Sequence, residues 1–240
     1  MAELRDRTRV LVGNLDHEVH IWRSFLDLSP AALEQAIALL ADDEVERARR
    51  YKFARDRRRF VAARAFLRRT LAEYLSVAPS RLTFAYGRFG KPELLPGANT
   101  ETVEFNLSHA ADLALLAITR GRRVGIDVER VDQSLDFQTI ALRFFSEHEK
   151  AALDEMPDEA RERGFYCCWT RKEAFLKALG DGLTYPLDSF DVSLDWVPRL
   201  LRVRNDTKLA SKWMLYHLDP KPGYAAALAV EGRGVQVVWR

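Results

Sequence analysis

The chain is poor in the residues that build several common kinds of site. Among its 240 residues there are two cysteines, five histidines and three methionines. Cys167 and Cys168 are neighbours, so they cannot form an ordinary structural cross-link, and two thiolates are too few for a thiolate zinc cluster. The expected setting is therefore reducing and cytoplasmic. No apolar run approaches the roughly 20 residues that cross a bilayer, so no membrane partner is expected. The opening MAELRDRTRV is charged from its third residue and does not read as a signal peptide. There is no large excess of one charge either, the net being +2. What is present is an ordinary soluble balance, with 48% hydrophobic and 30% charged residues, long enough for one large domain or two small ones.

Periodicity divides the chain into alternating elements. Residues 18–28 read as a strand. Ser29 is a candidate N-cap and Pro30 takes the first helical position, with Leu33, Ile37 and Leu40 at helical spacing in a helical stretch running towards residue 51. Phe60, Ala63, Leu67, Leu71 and Tyr74 form the apolar stripe of a second long helix. Residues 102–131 read as two or three strands, and 137–153 as helix interrupted at Ser146, a cap for a second helix. A long helix then ends at Gly180 and Gly182, and the remainder reads as short antiparallel strands. ARAFLRRTL near residue 65 is similar to RKEAFLKAL near residue 174, and VEFNLSHAADLALLAI is similar to MLYHLDPKPGYAAALAV. The offset is about 110 residues each time and the order is kept. The expectation is an α+β fold of two similar halves, 1–120 and 121–240, related by a pseudo-two-fold axis, with a ligand cleft between them.

Several motifs carry chemistry. In GIDVER, Asp127 and Glu129 alternate with Ile126 and Val128, which places both carboxylates on one face of a strand. A solvent-facing strand accommodates such a pair. In an apolar strand the two like charges need a positive partner, and a hard cation such as Mg²⁺ supplies one. In WTRKEAFLKALGDG, Glu173 and Lys177 are four apart on a helix, which fits a simple i,i+4 ion pair and equally a third carboxylate beside a phosphate-gripping lysine. FSEHEKAAL puts Glu147 and Glu149 early in a helix, where carboxylates suit the dipole. GRFGKP is a turn presenting Arg88 and Lys91. NLSHA places Ser108 and His109 together without a third triad member. From Arg47 to Arg69 the chain carries ten arginines and one lysine against one acid, Asp56. Such a stretch suits a polyanion, and a non-enzymatic nucleic-acid binder is the rival reading, although it leaves three carboxylates without a role.

Together VGIDVERV, FFSEHE and WTRKEAFLKALGDGL, preceded by GRFGKP and FNLSHA, resemble the Sfp-type 4'-phosphopantetheinyl transferases, the larger monomeric kind. The resemblance implies transfer of the 4'-phosphopantetheine arm from coenzyme A to a serine hydroxyl of an apo acyl or peptidyl carrier protein. The reaction requires Mg²⁺ and releases adenosine 3′,5′-bisphosphate. It also implies roles for individual residues. Asp127, Glu129 and Glu173 correspond to the metal carboxylates, and Glu149 to the proposed general base. Lys177 corresponds to a phosphate-binding lysine, and Lys91, Ser108 and His109 to contacts with coenzyme A. Arg59, assisted by Arg47, lies where the family holds the 3′-phosphate, and Gly125 allows a close backbone approach. Two positions depart from the family pattern: Glu44 stands near the place where some members carry a further coenzyme-binding lysine, and WTRKE replaces WSxKE.

Overall fold

The structure is a computed structural model that describes residues 14–87, 90–95, 103–180, 185–203 and 207–240. The first part of the chain runs β1 (Glu18–Phe25), α1 (Pro30–Ile37), α2 (Asp42–Arg49), α3 (Ala54–Leu75), a small ribbon of β2 (Phe84–Tyr86) and β3 (Pro92–Leu94), then β4 (Val103–Ala110) and β5 (Leu113–Arg120). The second part runs β6 (Val124–Arg130), α4 (Phe137–Phe144), α5 (Glu147–Asp154), α6 (Asp158–Leu179), β7 (Phe190–Val192), β8 (Leu200–Val203), α7 (Thr207–Ala210), β9 (Trp213–Leu218), β10 (Tyr224–Glu231) and β11 (Gln236–Trp239). Each part thus places two short helices and one 22-residue helix after its first strand.

The stretch from Pro30 to Arg49, read as a single helical run, is two helices. Asp42, Asp43 and Glu44 crowd the first turn of α2, where they face the positive end of the helix, and the Glu44 side chain accepts the Ala41 N–H at 3.0 Å. Ser29 caps α1 as expected, its hydroxyl accepting the Ala32 N–H at 3.3 Å. Ser146 likewise opens α5 in a capping box with Glu149. Gly180 ends α6 at φ 79°, while the other expected breaker, Gly182, lies outside the described residues.

The strands form two main sheets. One has the order β11-β1-β5-β4 and the other β6-β10-β9, so β1-β5-β4 and β6-β10-β9 repeat the same arrangement. β11 departs from the repeat, because it comes from the end of the chain and pairs in parallel with β1. One face of each sheet packs on the other through Ile21, Leu115, Ile126, Leu228 and their neighbours. The outer face of the first sheet carries α3, through Leu67, Leu71 and Tyr74 against Phe105, Leu116 and Ile118. The outer face of the second carries α6, through Ala174, Phe175 and Ala178 against Ala225, Ala227 and Ala229. The layers are therefore helix, sheet, sheet, helix. Burying each such Leu, Ile or Phe side chain contributes about 1.5–3 kcal/mol.

The edges of the two sheets meet at β4 and β6. No backbone ladder joins them there. Instead Asn106 Oδ1 accepts the Ile126 N–H at 2.8 Å and Ser108 Oγ accepts the Val128 N–H at 3.4 Å. Side chains of one edge strand thus satisfy main-chain donors of the other, which fixes the register of the seam.

Candidate active site

The seam collects the acidic residues. Gly125, Asp127 and Glu129 point from β6 to the α6 side, opposite Ala229, Ala227 and Ala225 of β10. These small partners let α6 lie close. A Cβ at Gly125 would stand 2.1 Å from the Ala174 carbonyl oxygen and 2.3 Å from the Ala178 nitrogen. That approach carries Glu173 and Lys177, on the same helix, to the acids of β6. In this structure the close approach expected at Gly125 is made by α6.

Lys177 does not pair with Glu173 along its helix. Its ammonium donates to Asp127 Oδ1 and, at 2.9 Å, to Ser108 Oγ. Ser108 in turn donates to Asp127 Oδ1 at 3.1 Å. Ser108 is therefore at the site, but as a residue that holds Asp127 and Lys177. Asp127 is only 2% exposed, whereas the Lys177 side chain keeps 31% of its surface in solvent.

Three carboxylates share this one ammonium, and the imbalance shows in two ways. Asp127 Oδ2 and Glu173 Oε1 are buried without a hydrogen-bond partner. The carboxyl of Glu129 is pushed up to about 7, by burial and then by the Asp127 charge, and that of Glu173 is raised for the same two reasons. Orphaned, anionic oxygens in a half-buried site suit a hard divalent cation. As they stand, no three metal-ligating side chains converge closely enough among the described residues to surround an ion. The donor chemistry fits such a cation, while the Lys177 ammonium lies on one of the oxygens it would use.

The remaining expected residues divide into two groups. Some lie near the seam. His109 is exposed at the end of β4, yet the surrounding protein, and then the charges of Lys177 and Arg59, hold its pKa below the ordinary value. Arg59 makes a two-pronged pair with Asp27 at 2.7 and 2.9 Å. Arg47 stacks on Phe60 and Tyr86, with its guanidinium about 5.6 Å from each ring centre.

Others are engaged elsewhere. Lys91 donates to the Lys177 carbonyl at 2.8 Å and to the Val124 carbonyl at 3.4 Å, so its ammonium covers the last turn of α6 instead of standing free for a phosphate. Arg88 lies outside the described residues.

Glu149, the expected general base, is enclosed in this structure. It is 0% exposed. Its Oε1 accepts from Lys172 Nζ at 2.6 Å and the Val192 N–H at 2.8 Å, and its Oε2 accepts the Ser146 N–H at 3.0 Å. Burial pushes this carboxyl up against the pull of the Lys172 ammonium. A general base must reach its proton, and Glu149 reaches only the groups that enclose it. It ties α5, α6 and β7 together.

Part of the basic stretch is turned inward, while Arg49, Arg57, Arg58 and Arg69 stay exposed. Glu44 lies at the centre of a buried cluster with Arg64 and Arg68, Arg68 Nε donating at 2.6 Å. Arg68 continues to the carbonyls of Pro79 and Leu82, and Arg64 to the Tyr86 hydroxyl. Arg50 pairs with Glu46 and Arg55 with Asp56. Glu44, noted in the sequence as a departure at a coenzyme site, is thus the counter-charge of α3 and takes Arg64 and Arg68 out of the exposed charge of the stretch.

Three residues escaped the sequence. Trp169 stands beside Glu129 and shares with Leu135, Ile140, Phe165 and Tyr166 a cavity of about 290 Å³ that opens beside that carboxylate. Asn106 fixes the seam and Asp27 holds Arg59. Only the tryptophan had a signal, since it opens the WTRKE motif.

The seam thus gathers a carboxylate cluster around one ammonium, with His109 and Arg59 near it. Known proteins similar to the chain identify its family. The model of the 4'-phosphopantetheinyl transferase superfamily matches residues 123–229, and that of the 4'-phosphopantetheinyl transferase N-terminal region matches residues 27–120. The 4'-phosphopantetheinyl transferase HetI of a Nostoc species is 40% identical, with 92% of this chain and 91% of the relative covered. The 4'-phosphopantetheinyl transferase Sfp of Bacillus subtilis is 29% identical, covering 84% of this chain and 86% of that one. The solved holo-[acyl-carrier-protein] synthase of Thermotoga maritima aligns with a TM-score of 0.38 at 26% identity, over 46% of this chain and 63% of the other. The chain belongs to the 4'-phosphopantetheinyl transferase superfamily.

Proposed function

We propose that the chain transfers the 4'-phosphopantetheine group of coenzyme A to a serine hydroxyl of an apo acyl or peptidyl carrier protein, with Mg²⁺, as a cytoplasmic monomer. The observation that carries the reading is the gathering of Asp127, Glu129, Glu173 and Lys177 at the seam by two elements far apart in sequence. The serine oxygen attacks the phosphorus that bears the pantetheine arm. The bond from that phosphorus to the bridging oxygen breaks, and adenosine 3′,5′-bisphosphate leaves. Asp127, Glu129 and Glu173 would hold Mg²⁺, which when bound supplies charge neutralisation for the pyrophosphate.

This chain's own groups do the rest. Lys177 binds a phosphate oxygen. His109 and Arg59 grip the adenosine end, Arg59 at the 3′-phosphate. The cavity beside Glu129 and Trp169 receives the arm. With Glu149 enclosed, the serine proton passes to a carboxylate of the cluster, Glu129 or Glu173.

A cleft completed within one chain supports the monomer, and the buried free thiols of Cys167 and Cys168 support a reducing compartment. No described helix is long and apolar enough to cross a membrane. Domain limits of 1–120 and 121–240 belong to the same proposal, the repeated strand order being their support.

The test is release of adenosine 3′,5′-bisphosphate, followed chromatographically, with coenzyme A, Mg²⁺ and an apo carrier. Release must need the carrier's serine. Equal release with a carrier whose serine is alanine would contradict transfer.

A further inference from the structure

Asp127 serves two positive partners in this account, and it cannot serve both at once. One of its oxygens, Oδ1, accepts the Lys177 ammonium and the Ser108 hydroxyl, while Oδ2 is buried and unpartnered beside the equally orphaned Glu173 Oε1. The acid is fixed in place by burial. The lysine is not: a third of its side chain is in solvent, and its ammonium sits on a flexible four-carbon stem. A divalent ion on Asp127 would stand within a few Å of that ammonium, where two positive charges repel strongly in a half-buried site. Something must therefore draw Lys177 aside before a divalent ion binds well, and a phosphate oxygen is the group that does so.

We infer that Lys177 competes with the divalent cation for Asp127, so that cation binding is conditional on a phosphorylated ligand that takes the lysine. The inference rests on the proposed coenzyme A reading only for the identity of that ligand. Lys177 is then a positioning residue with two partners, Asp127 without the ligand and phosphate with it. Reciprocity follows: whatever factor the ligand adds to cation affinity, the cation adds to ligand affinity. The enzyme would thereby avoid holding a bare cation in the cleft and would assemble its charges only around substrate.

The test uses Mn²⁺ as a spectroscopic probe, its free concentration read by electron paramagnetic resonance in titrations of the full chain, with and without coenzyme A. Wild type should bind Mn²⁺ weakly alone and on the order of tenfold or more tightly with coenzyme A. Lys177→Met and Lys177→Gln should bind Mn²⁺ alone about tenfold more tightly than wild type and gain little from coenzyme A. Lys177→Arg, which keeps the charge, should restore weak binding alone. Asp127→Asn should weaken Mn²⁺ in every background. If Lys177→Met and Lys177→Gln fold, by circular dichroism, and bind Mn²⁺ alone no better than wild type, the competition is refuted. If either fails to fold, the other decides, and failure of both would itself show a structural role and refute the inference. If wild type shows no coenzyme A binding by calorimetry, the functional reading falls, while the comparison in Mn²⁺ alone still decides the competition.

Discussion

Replacing Glu149 by glutamine separates a scaffold from a catalyst. The side chain changes little in shape, but its charge is lost and two acceptor oxygens become one. All its partners are donors: Lys172 Nζ at 2.6 Å, Val192 N–H at 2.8 Å and Ser146 N–H at 3.0 Å. Whichever way the amide turns, its NH₂ faces a donor. Lys172, itself 0% exposed, is left as a buried charge without its counter-ion. Breaking one side of a buried pair costs about 3–5 kcal/mol. For a chain of this size each kcal/mol lowers Tm by about 2–4 °C, so the melting point should fall by about 6–20 °C. Adding Lys172→Met should return part of that loss, because the stranded ammonium is the main cost. Calorimetry or circular dichroism gives Tm, and carrier modification measured well below Tm gives kcat per folded molecule. The expected result is a large loss of stability with kcat within a few-fold of wild type. A Glu149→Gln variant that melts like wild type and loses kcat a hundredfold or more would restore Glu149 as the base and refute the reasoning.

Further outcomes follow from other parts of the structure. Gly125→Ala should cost about 1–3 kcal/mol or more, because its Cβ would meet the α6 backbone, and should depress activity further by lifting Glu173 and Lys177 away from Asp127; urea midpoints and kcat check both. Asp127→Asn should lower kcat and, through the weakened cation, also raise KM for coenzyme A. Arg59→Ala should raise KM for coenzyme A by about 1–3 kcal/mol and narrow the preference over the 3′-dephospho form. Equal weakening of both substrates would place the 3′-phosphate elsewhere. His20 is fully buried between Tyr74 and Glu18, and burial holds its pKa below 6.5. Below pH 6.5 the unfolded chain therefore binds more protons, so stability should be lost as pH falls from there, with His109 adding in the same sense. Denaturant melts across that range should show the slope, and His20→Gln should flatten part of it.

The fold was legible wherever one period dominated. The stripe from Phe60 to Tyr74, the alternation of GIDVER and the cap at Ser146 each named their element, and the repeat offset pointed to matching strand orders. The break between α1 and α2 was less visible, because the apolar spacing continues across it and only the acids of α2 mark the restart. At the site, spacing identified the carboxylates but not which cation meets them. A side chain's partner is set by packing, and Gly125 is what brings Lys177 of α6 to Asp127 and not to Glu173. Glu149 and Glu44 show the opposite failure. Both look like surface acids at a helix start, and both are buried by partners, Lys172 in one case and Arg64 with Arg68 in the other, that lie 20 or more residues away. Nothing in local sequence announces such a pairing.

The central claim is that the seam of β4, β6 and α6 is a phosphopantetheine-transfer site. Intact-mass spectrometry of an apo carrier tests it most directly, after incubation with the chain, coenzyme A and Mg²⁺. The account predicts a gain of one phosphopantetheinyl group with wild type and with Glu149→Gln kept below its melting point, and almost none with Asp127→Asn. An unmodified carrier with wild type, across acyl and peptidyl carriers alike, or full modification by Asp127→Asn, would contradict it.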